Sequence, residues 1–286
     1  MYEQHFGLSE RPFSLSPEPR FLYLSRHHEM ALTSLEYGFA GGALITLLTG
    51  EVGCGKTTLV RHFVAGLDPA VSVGVISHTH RGSGKLLQWV AMAFGVTPRR
   101  QDVASVYQAF TAHLDSLVAG GKRLMLIVDE AQNLGLSRLE ELRVLSNVND
   151  SRTLAFQLVL VGQPELRTTL RRPKLRQLAQ RVGADYHLGT LSRDETREYV
   201  RHRIQLTGGS PCLFSVGAID VAHLHSGGVP RLVNQLCDTA LVYAFAEQRF
   251  DVDAALMEQV VNDRAAGGIF PDATGRHPRL RRLVGE

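Results

Sequence analysis

Residues 50–57 read Gly-Glu-Val-Gly-Cys-Gly-Lys-Thr, the pattern G-x-x-x-x-G-K-[ST]. Phosphate oxygens need many donors at close range. Glycines at 50, 53 and 55 let the backbone wrap tightly, so that its amides point inward. Gly50, Glu51, Val52, Gly53, Cys54, Gly55, Lys56, Thr57 and Thr58 are therefore the expected nucleotide cradle. A helix starting near Lys56 adds its positive N-terminal end. Lys56 is expected to reach the β- and γ-phosphates of ATP, and the Thr57 hydroxyl to ligand Mg²⁺. A second glycine-lysine stretch, Arg81-Gly-Ser-Gly-Lys85, lacks the first glycine and the hydroxyl after the lysine. Lys85 reads as an ordinary helix-start residue.

Two further places could take part in the same chemistry. Leu124–Val128 is an apolar run ending in Asp129-Glu130. Adjacent acids at a buried strand end repel each other unless a cation is near. Asp129 fits a residue holding Mg²⁺ through water. Glu130 fits the general base that orients the attacking water. Leu158–Gly162 is another apolar run, ending at Gln163. In a P-loop sheet with an inserted strand, that tip lies between the other two, where Gln163 could touch the γ-phosphate or the water. The alternative is a turn residue ahead of Pro164.

The elements that must carry these residues alternate. Short apolar runs at 43–49, 71–77, 124–128 and 154–161 read as buried strands. Periodic stretches at 25–39, 57–65, 86–94 and 103–118 read as helices. Strand–helix alternation implies a parallel sheet covered on both faces. After Leu191 only helices are expected, at 193–206, 216–225, 231–247 and 253–264. Ser192 and Glu195 form a capping box for the first. Residues 1–190 are thus expected to form an α/β nucleotide-binding domain with an extended N-terminal arm, 191–266 a small all-helical domain, and 267–286 a flexible basic tail. The arm carries Pro12, Pro17 and Pro19 among aromatics, which argues against a helix there.

Composition narrows the class. The chain has 286 residues, 44% hydrophobic and 21% charged, as a soluble globular protein does. The net charge of +3 matters less than its distribution. Between Glu165 and Asp185 there is no acid, while Arg167, Arg171, Arg172, Lys174, Arg176 and Arg181 fall in the gap, and 167–181 reads as a basic helix. Arg276, Arg279, Arg281 and Arg282 add charge in the tail. Cys54, Cys212 and Cys237 are too widely spaced for a disulfide framework or zinc site, and a reducing cytoplasm fits. No signal peptide and no run of 18 apolar residues is apparent. His27, His28, His78, His80, His223 and His225 come in pairs without acid or cysteine partners at metal spacing, so they read as structural or solvent-facing.

Gly50–Thr57, Asp129-Glu-Ala-Gln-Asn-Leu134, Val161-Gly-Gln-Pro-Glu-Leu166 and Gly228-Val-Pro-Arg231 occur in that order, behind an opening HFGLSERPFSLSPEPRFLYLS. Together they resemble the AAA ATPases of the general secretion pathway A-component family, over about residues 1–265. That group includes ATPases associated with exosortase and with pilus or polysaccharide export. It is similar in turn to ATPases that regulate transposon target choice. The resemblance implies a P-loop AAA+ sheet sandwiched by helices, followed by the helical domain as a lid. It implies ATP at a subunit interface, and hence an ATP-dependent homo-oligomer, a ring. It casts Arg231 as a sensor 2 arginine reaching the γ-phosphate of its own subunit. Arg181, or else Arg176, would be an arginine finger for the neighbour's ATP; the competing reading is a solvated basic face. Secretion members often continue into a membrane span and a wall-binding domain. This chain shows neither, so anchoring and peptidoglycan binding are not carried over.

Three functions then compete. The first is a cytoplasmic ATPase, peripheral at the inner membrane through a partner, that hydrolyses ATP to drive or switch an export system. Its partner would be an export-system or membrane-associated protein. The second is a DNA-associated ATPase regulating transposition target choice, for which the 167–181 basic stretch would contact phosphates. The third is a non-catalytic nucleotide-binding scaffold, against which Asp129 and Glu130 argue. The style of the N-terminal arm favours the first.

Overall fold

The computed structural model describes residues 1–77, 85–97, 102–146 and 156–266. His78, His80, Arg81–Gly84 and the 267–286 tail lie outside the described residues. The chain divides into two compact units. One comprises His28–Val52 and Lys56–Leu188; the other comprises Met1–His27, Gly53–Gly55 and Gly189–Glu286.

The first is the sheet unit. Strands β1 (Ile45–Gly50), β2 (Val71–Ile76), β3 (Arg123–Val128), β4 (Phe156–Gly162) and β5 (Val182–Leu188) form one sheet in the order β2-β3-β4-β1-β5. Every neighbouring pair is parallel. All strand C-termini therefore point to one edge, which brings the ends of β1, β3 and β4 side by side. The order puts β4 between the strand feeding the glycine loop and the strand ending in Asp129.

Helices cover both faces. They are α1 (Arg26–Ala40), α2 (Lys56–Ala65), α3 (Leu86–Ala93), α4 (Val103–Ala119), α5 (Gly135–Leu145), α6 (Pro164–Leu170) and α7 (Arg176–Ala179). Strand side chains alternate between faces. Leu124, Leu126, Val128, Leu158 and Leu160 pack in one buried cluster with α3, α4, α5 and α6. Met125, Ile127, Val159 and Val161, from the alternate positions, are equally buried. On that second face the buried Gln157 amide donates to the carbonyls of Gly38, Phe39 and Ala43 at 3.1–3.3 Å. It thereby ties β4 to the end of α1 and the turn after it, where the Gly38 and Phe39 carbonyls also accept the N–H groups of Ala43 and Gly42. Phe39 meets Phe63 of α2 edge to face, so α1 and α2 share this face.

The second unit holds α8 (Arg193–Leu206), α9 (Val216–Ser226), α10 (Pro230–Ala246) and α11 (Ala254–Ala266). Ser192 and Glu195 close the capping box at the start of α8. Tyr2, Leu8 and Phe13 of the arm share the buried cluster of these helices. Arg203 of α8 is 5% exposed. Its guanidinium donates to the carbonyls of Pro12 at 2.5 Å and Ser14 at 3.0 Å. It also lies 4.5 Å from the Phe21 ring centre.

Three sequence expectations change. The arm belongs with the helical unit, not with the sheet unit, because its aromatic residues and its Pro12 and Ser14 carbonyls are all spent on α8–α11. The division falls at Leu188/Gly189, two residues from position 190. The basic stretch 167–181 is not one helix. Pro173 has no N–H and forces Arg172 into an extended conformation (ψ 144°), which ends α6 and starts a separate 3₁₀ turn before α7. Finally, β5 and α5 were not apparent from the sequence.

Candidate functional site

β1 ends at Gly50, where the chain turns into the loop and then into α2 at Lys56. Gly53 (φ 84°) and Gly55 (φ 93°) occupy conformations that residues with a side chain rarely adopt. The loop thus depends on glycine at these two positions. Lys56 is 5% exposed. Its ammonium donates to the carbonyls of Gly50 at 2.8 Å and Glu51 at 2.9 Å. Both acceptors are neutral. A buried lysine held only by carbonyls gains more from an anion, since charge-assisted bonds are about twice as strong.

The Thr57 hydroxyl donates to Asp129 Oδ2 at 2.7 Å. The glycine loop and the acidic strand end are therefore in contact through the two side chains expected to serve a metal. A hydroxyl and a carboxylate, both hard oxygen donors, fit Mg²⁺. Asp129 Oδ1 also accepts from the Glu130 N–H at 2.9 Å, which fixes the carboxylate plane.

Glu130 has φ 52° and ψ 39°, left-handed backbone in a residue with a long side chain. Such conformations persist where the surroundings enforce them, and they cluster at functional sites. Its Oε2 accepts from Gln132 Nε2 at 2.5 Å and from Gln163 Nε2 at 3.3 Å. Gln163 therefore stands at the tip of β4 and touches the expected base. Sequence reasoning missed Gln132. Its signal was its place two residues after Glu130, in the turn at Ala131–Leu134.

The arginines separate. Arg231 is exposed on the first turn of α10. Within the helical unit its N–H donates to the Gly53 carbonyl at 3.2 Å. Arg181 is half-buried, and its Nη1 donates to Ser146 Oγ at 2.5 Å and to the Arg143 carbonyl at 3.2 Å. It thus caps the end of α5, a favourable use of a cation at a helix C-terminus. Arg176 is exposed. Arg167 pairs with Asp185 at 2.7 Å and donates to Thr49 Oγ1 at 2.7 Å. The expected basic face is thereby reduced to Arg171, Arg172, Lys174 and Arg176, all exposed.

His28 is buried. His223 Nδ1 lies 2.9 Å from Thr196 Oγ1, and burial lowers its pKa. Cys54 and Cys237 are buried and not in a disulfide, and burial pushes the pKa of the Cys237 thiol up. Among the described residues no helix is long and apolar enough to cross a membrane.

Residues 40–170 match the family model described as AAA domain. The chain is 44% identical over 248 residues to general secretion pathway protein A of Aeromonas hydrophila. That match covers 86% of this chain and 45% of that protein, so the chain spans less than half the length of this relative. Among solved structures, the ORC2 protein of Aeropyrum pernix, in ADPNP–ADP complexes, aligns with a TM-score of 0.69 at 21% identity. It covers 92% of this chain and 73% of that one. Cdc6p of Pyrobaculum aerophilum aligns with a TM-score of 0.64 at 16% identity, over 84% of this chain and 67% of that one. A Walker-type ATPase of Pyrococcus abyssi aligns with a TM-score of 0.60 at 17% identity, over 95% of this chain and 79% of that one. At these identities the likeness shows the AAA+ fold alone. The chain thus carries an AAA domain on an AAA+ fold, and along most of its length it is similar to part of general secretion pathway protein A.

Proposed function

We propose that this chain binds ATP with Mg²⁺ and hydrolyses it, and that the cycle drives or switches the assembly of a bacterial envelope export system. The observation that carries the chemistry is the chain of contacts Thr57–Asp129–Glu130–Gln163 at the joined ends of α2, β3 and β4. The N–H groups of Gly50–Thr58 and the Lys56 ammonium hold the phosphates. Thr57 and Asp129 hold Mg²⁺, which when bound neutralises charge on the phosphate oxygens. Glu130 takes the proton of a water as its oxygen attacks the terminal phosphorus, and the bond to the bridging oxygen breaks to release ADP. Gln163 steadies the base or the transferring group. Arg231 is assigned to the γ-phosphate as sensor 2.

The export role rests on the 44% identity to general secretion pathway protein A. A peripheral position at the inner membrane, through an export-system partner, is part of the same proposal, and the likeness to that relative supports it. A DNA-associated role rests only on four exposed cations after β4.

The active form is proposed to be a homo-oligomer, a ring, in which Arg181 or Arg176 completes a neighbour's site. Specific activity of the wild type should then rise with protein concentration. Arg181→Ala should bind ATP normally and turn it over up to roughly a thousandfold more slowly, the lower range for arginine fingers. Mixing it with Lys56→Ala should restore turnover, because one variant supplies the intact loop and the other the arginine. No rescue in demonstrated mixed oligomers moves the assignment to Arg176. Concentration-independent hydrolysis by a lasting monomer rejects the shared site.

A further inference from the structure

Gln132 was not among the residues expected to act. It lies beyond the acid pair, half-buried, in the 3₁₀ turn Ala131–Leu134. Both ends of its carboxamide are occupied. Nε2 donates to Glu130 Oε2 at 2.5 Å. Oε1 accepts from the backbone N–H of Gln163 at 3.1 Å. These partners fix the orientation of the amide. A carboxylate only accepts and a backbone N–H only donates, so turning the amide over would lose both bonds.

The tip of β4 is shaped around this amide. A Cβ added to Gly162 would lie 2.8 Å from Gln132 Oε1 and 2.8 Å from Leu166 Cδ2. Neither distance is compatible with an ordinary carbon contact, so the glycine before Gln163 leaves the space that Gln132 fills. Gln163 in turn donates from its side chain to the same oxygen of Glu130, at 3.3 Å. Glu130, Gln132 and Gln163 thus close a ring of three bonds across two strand ends. Glu130 itself sits in left-handed backbone, which needs such support.

We infer that Gln132 is a positioning residue for hydrolysis: it fixes the Glu130 carboxylate to the tip of β4, so that the base and Gln163 move as one body. The inference rests on the reading of Glu130 as the base. It assigns Gln132 no contact with nucleotide. A base displaced by about 1 Å costs on the order of a hundredfold in rate, whereas nucleotide affinity is set elsewhere, by the loop and Lys56.

The test uses the full chain and measures kcat for ATP, KM, and equilibrium binding of ATP with Mg²⁺. Gln132→Ala removes both bonds. It should lower kcat roughly tenfold to a hundredfold and leave nucleotide affinity within about twofold. Gln132→Glu keeps the size and the acceptor for the Gln163 N–H, but sets a second carboxylate against Glu130. It should be slower than Gln132→Ala. A residue needed only to fill space would give the opposite order, with the near-isosteric glutamate close to wild type. In a Glu130→Gln background, Gln132→Ala should cost nothing further, because contacting residues of one unit are not additive.

The outcomes are separable. Glu130→Gln inactive with Gln132→Ala at the wild-type rate overturns the role of Gln132 and leaves the base assignment standing. Gln132→Glu as fast as or faster than Gln132→Ala also overturns it. Wild-type turnover by Glu130→Gln overturns the base assignment, and this inference with it.

Discussion

Two buried cations, Lys56 in the sheet unit and Arg203 in the helical unit, are equally inaccessible at 5% exposure and hold opposite kinds of position. Each is bonded to two backbone carbonyls, and among the described residues neither is paired with a carboxylate. Lys56 bonds to carbonyls five and six residues back, in its own loop. Its flexible stem can exchange those acceptors for others without moving a second element. Arg203 bonds to Pro12 and Ser14, about 190 residues away in sequence. It also donates to the Tyr199 hydroxyl at 3.0 Å, which donates in turn to Asn234. With the Phe21 ring against it, its planar fork has no freedom left. A buried cation on local, replaceable carbonyls can yield to a ligand, and one on distant carbonyls wedged by rings is a clamp. Burial alone does not distinguish them; the sequence separation and rigidity of the partners do.

The comparison gives a crossed pair of expectations. Lys56→Ala should weaken nucleotide binding by about a hundredfold or more, the loss of roughly 3 kcal/mol for a charge-assisted bond in a buried site. Its melting temperature should fall by only about a few degrees, because of the two freed carbonyls only that of Gly50, at the end of β1, is buried, while Glu51 is exposed. Titration calorimetry and a thermal melt check both halves. Unchanged affinity removes the assignment of the loop as the nucleotide site. Arg203→Leu should show the reverse. It leaves the Pro12 and Ser14 carbonyls without their donor, at about 1–3 kcal/mol for each buried group. The helical unit should lose roughly 2–6 kcal/mol, and limited proteolysis should cut within residues 1–25 first. ATP affinity should stay within about twofold. An arm as resistant as in the wild type would show that its aromatic packing, not the clamp, holds it.

How much of this was legible in the sequence depended on how local each interaction is. The glycine loop and the acid pair announce themselves because their residue types stand at fixed spacing in an unbroken stretch. The apolar runs of β1, β3 and β4 are buried on both faces, so they read clearly. Gln163 could be placed because a polar residue at the end of a buried run needs a reason. Gln132 stood in a quoted motif two residues after Glu130 but received no role, since its bond to the Gln163 backbone spans 31 positions. Arg203 was invisible for the same reason, at a separation of 191 from Pro12. β5 was missed because it is an edge strand with only Ala184 and Leu188 buried and a glycine at 183. α5 opens on Gly135 without a capping side chain, so its first residue reads as a stop signal. The arm was assigned to the wrong unit because proximity in sequence to β1 outweighed partners that lie beyond residue 190. The arginines were overcounted as a basic face because nothing local reveals that Arg167 and Arg181 are bound to Asp185 and to the end of α5.

The central claim is that the joined strand ends form a hydrolytic site in which Glu130 activates water while the loop and Asp129 hold the nucleotide. Single-turnover phosphate release from ATP with Mg²⁺, measured on wild type and Glu130→Gln at saturating protein, tests it most directly. The substitution removes the proton acceptor and preserves side-chain size. The account predicts full ATP binding by the variant and phosphate release slower by roughly 10²- to 10⁴-fold, the usual contribution of a general base. Release at the wild-type rate, with binding intact, would contradict it.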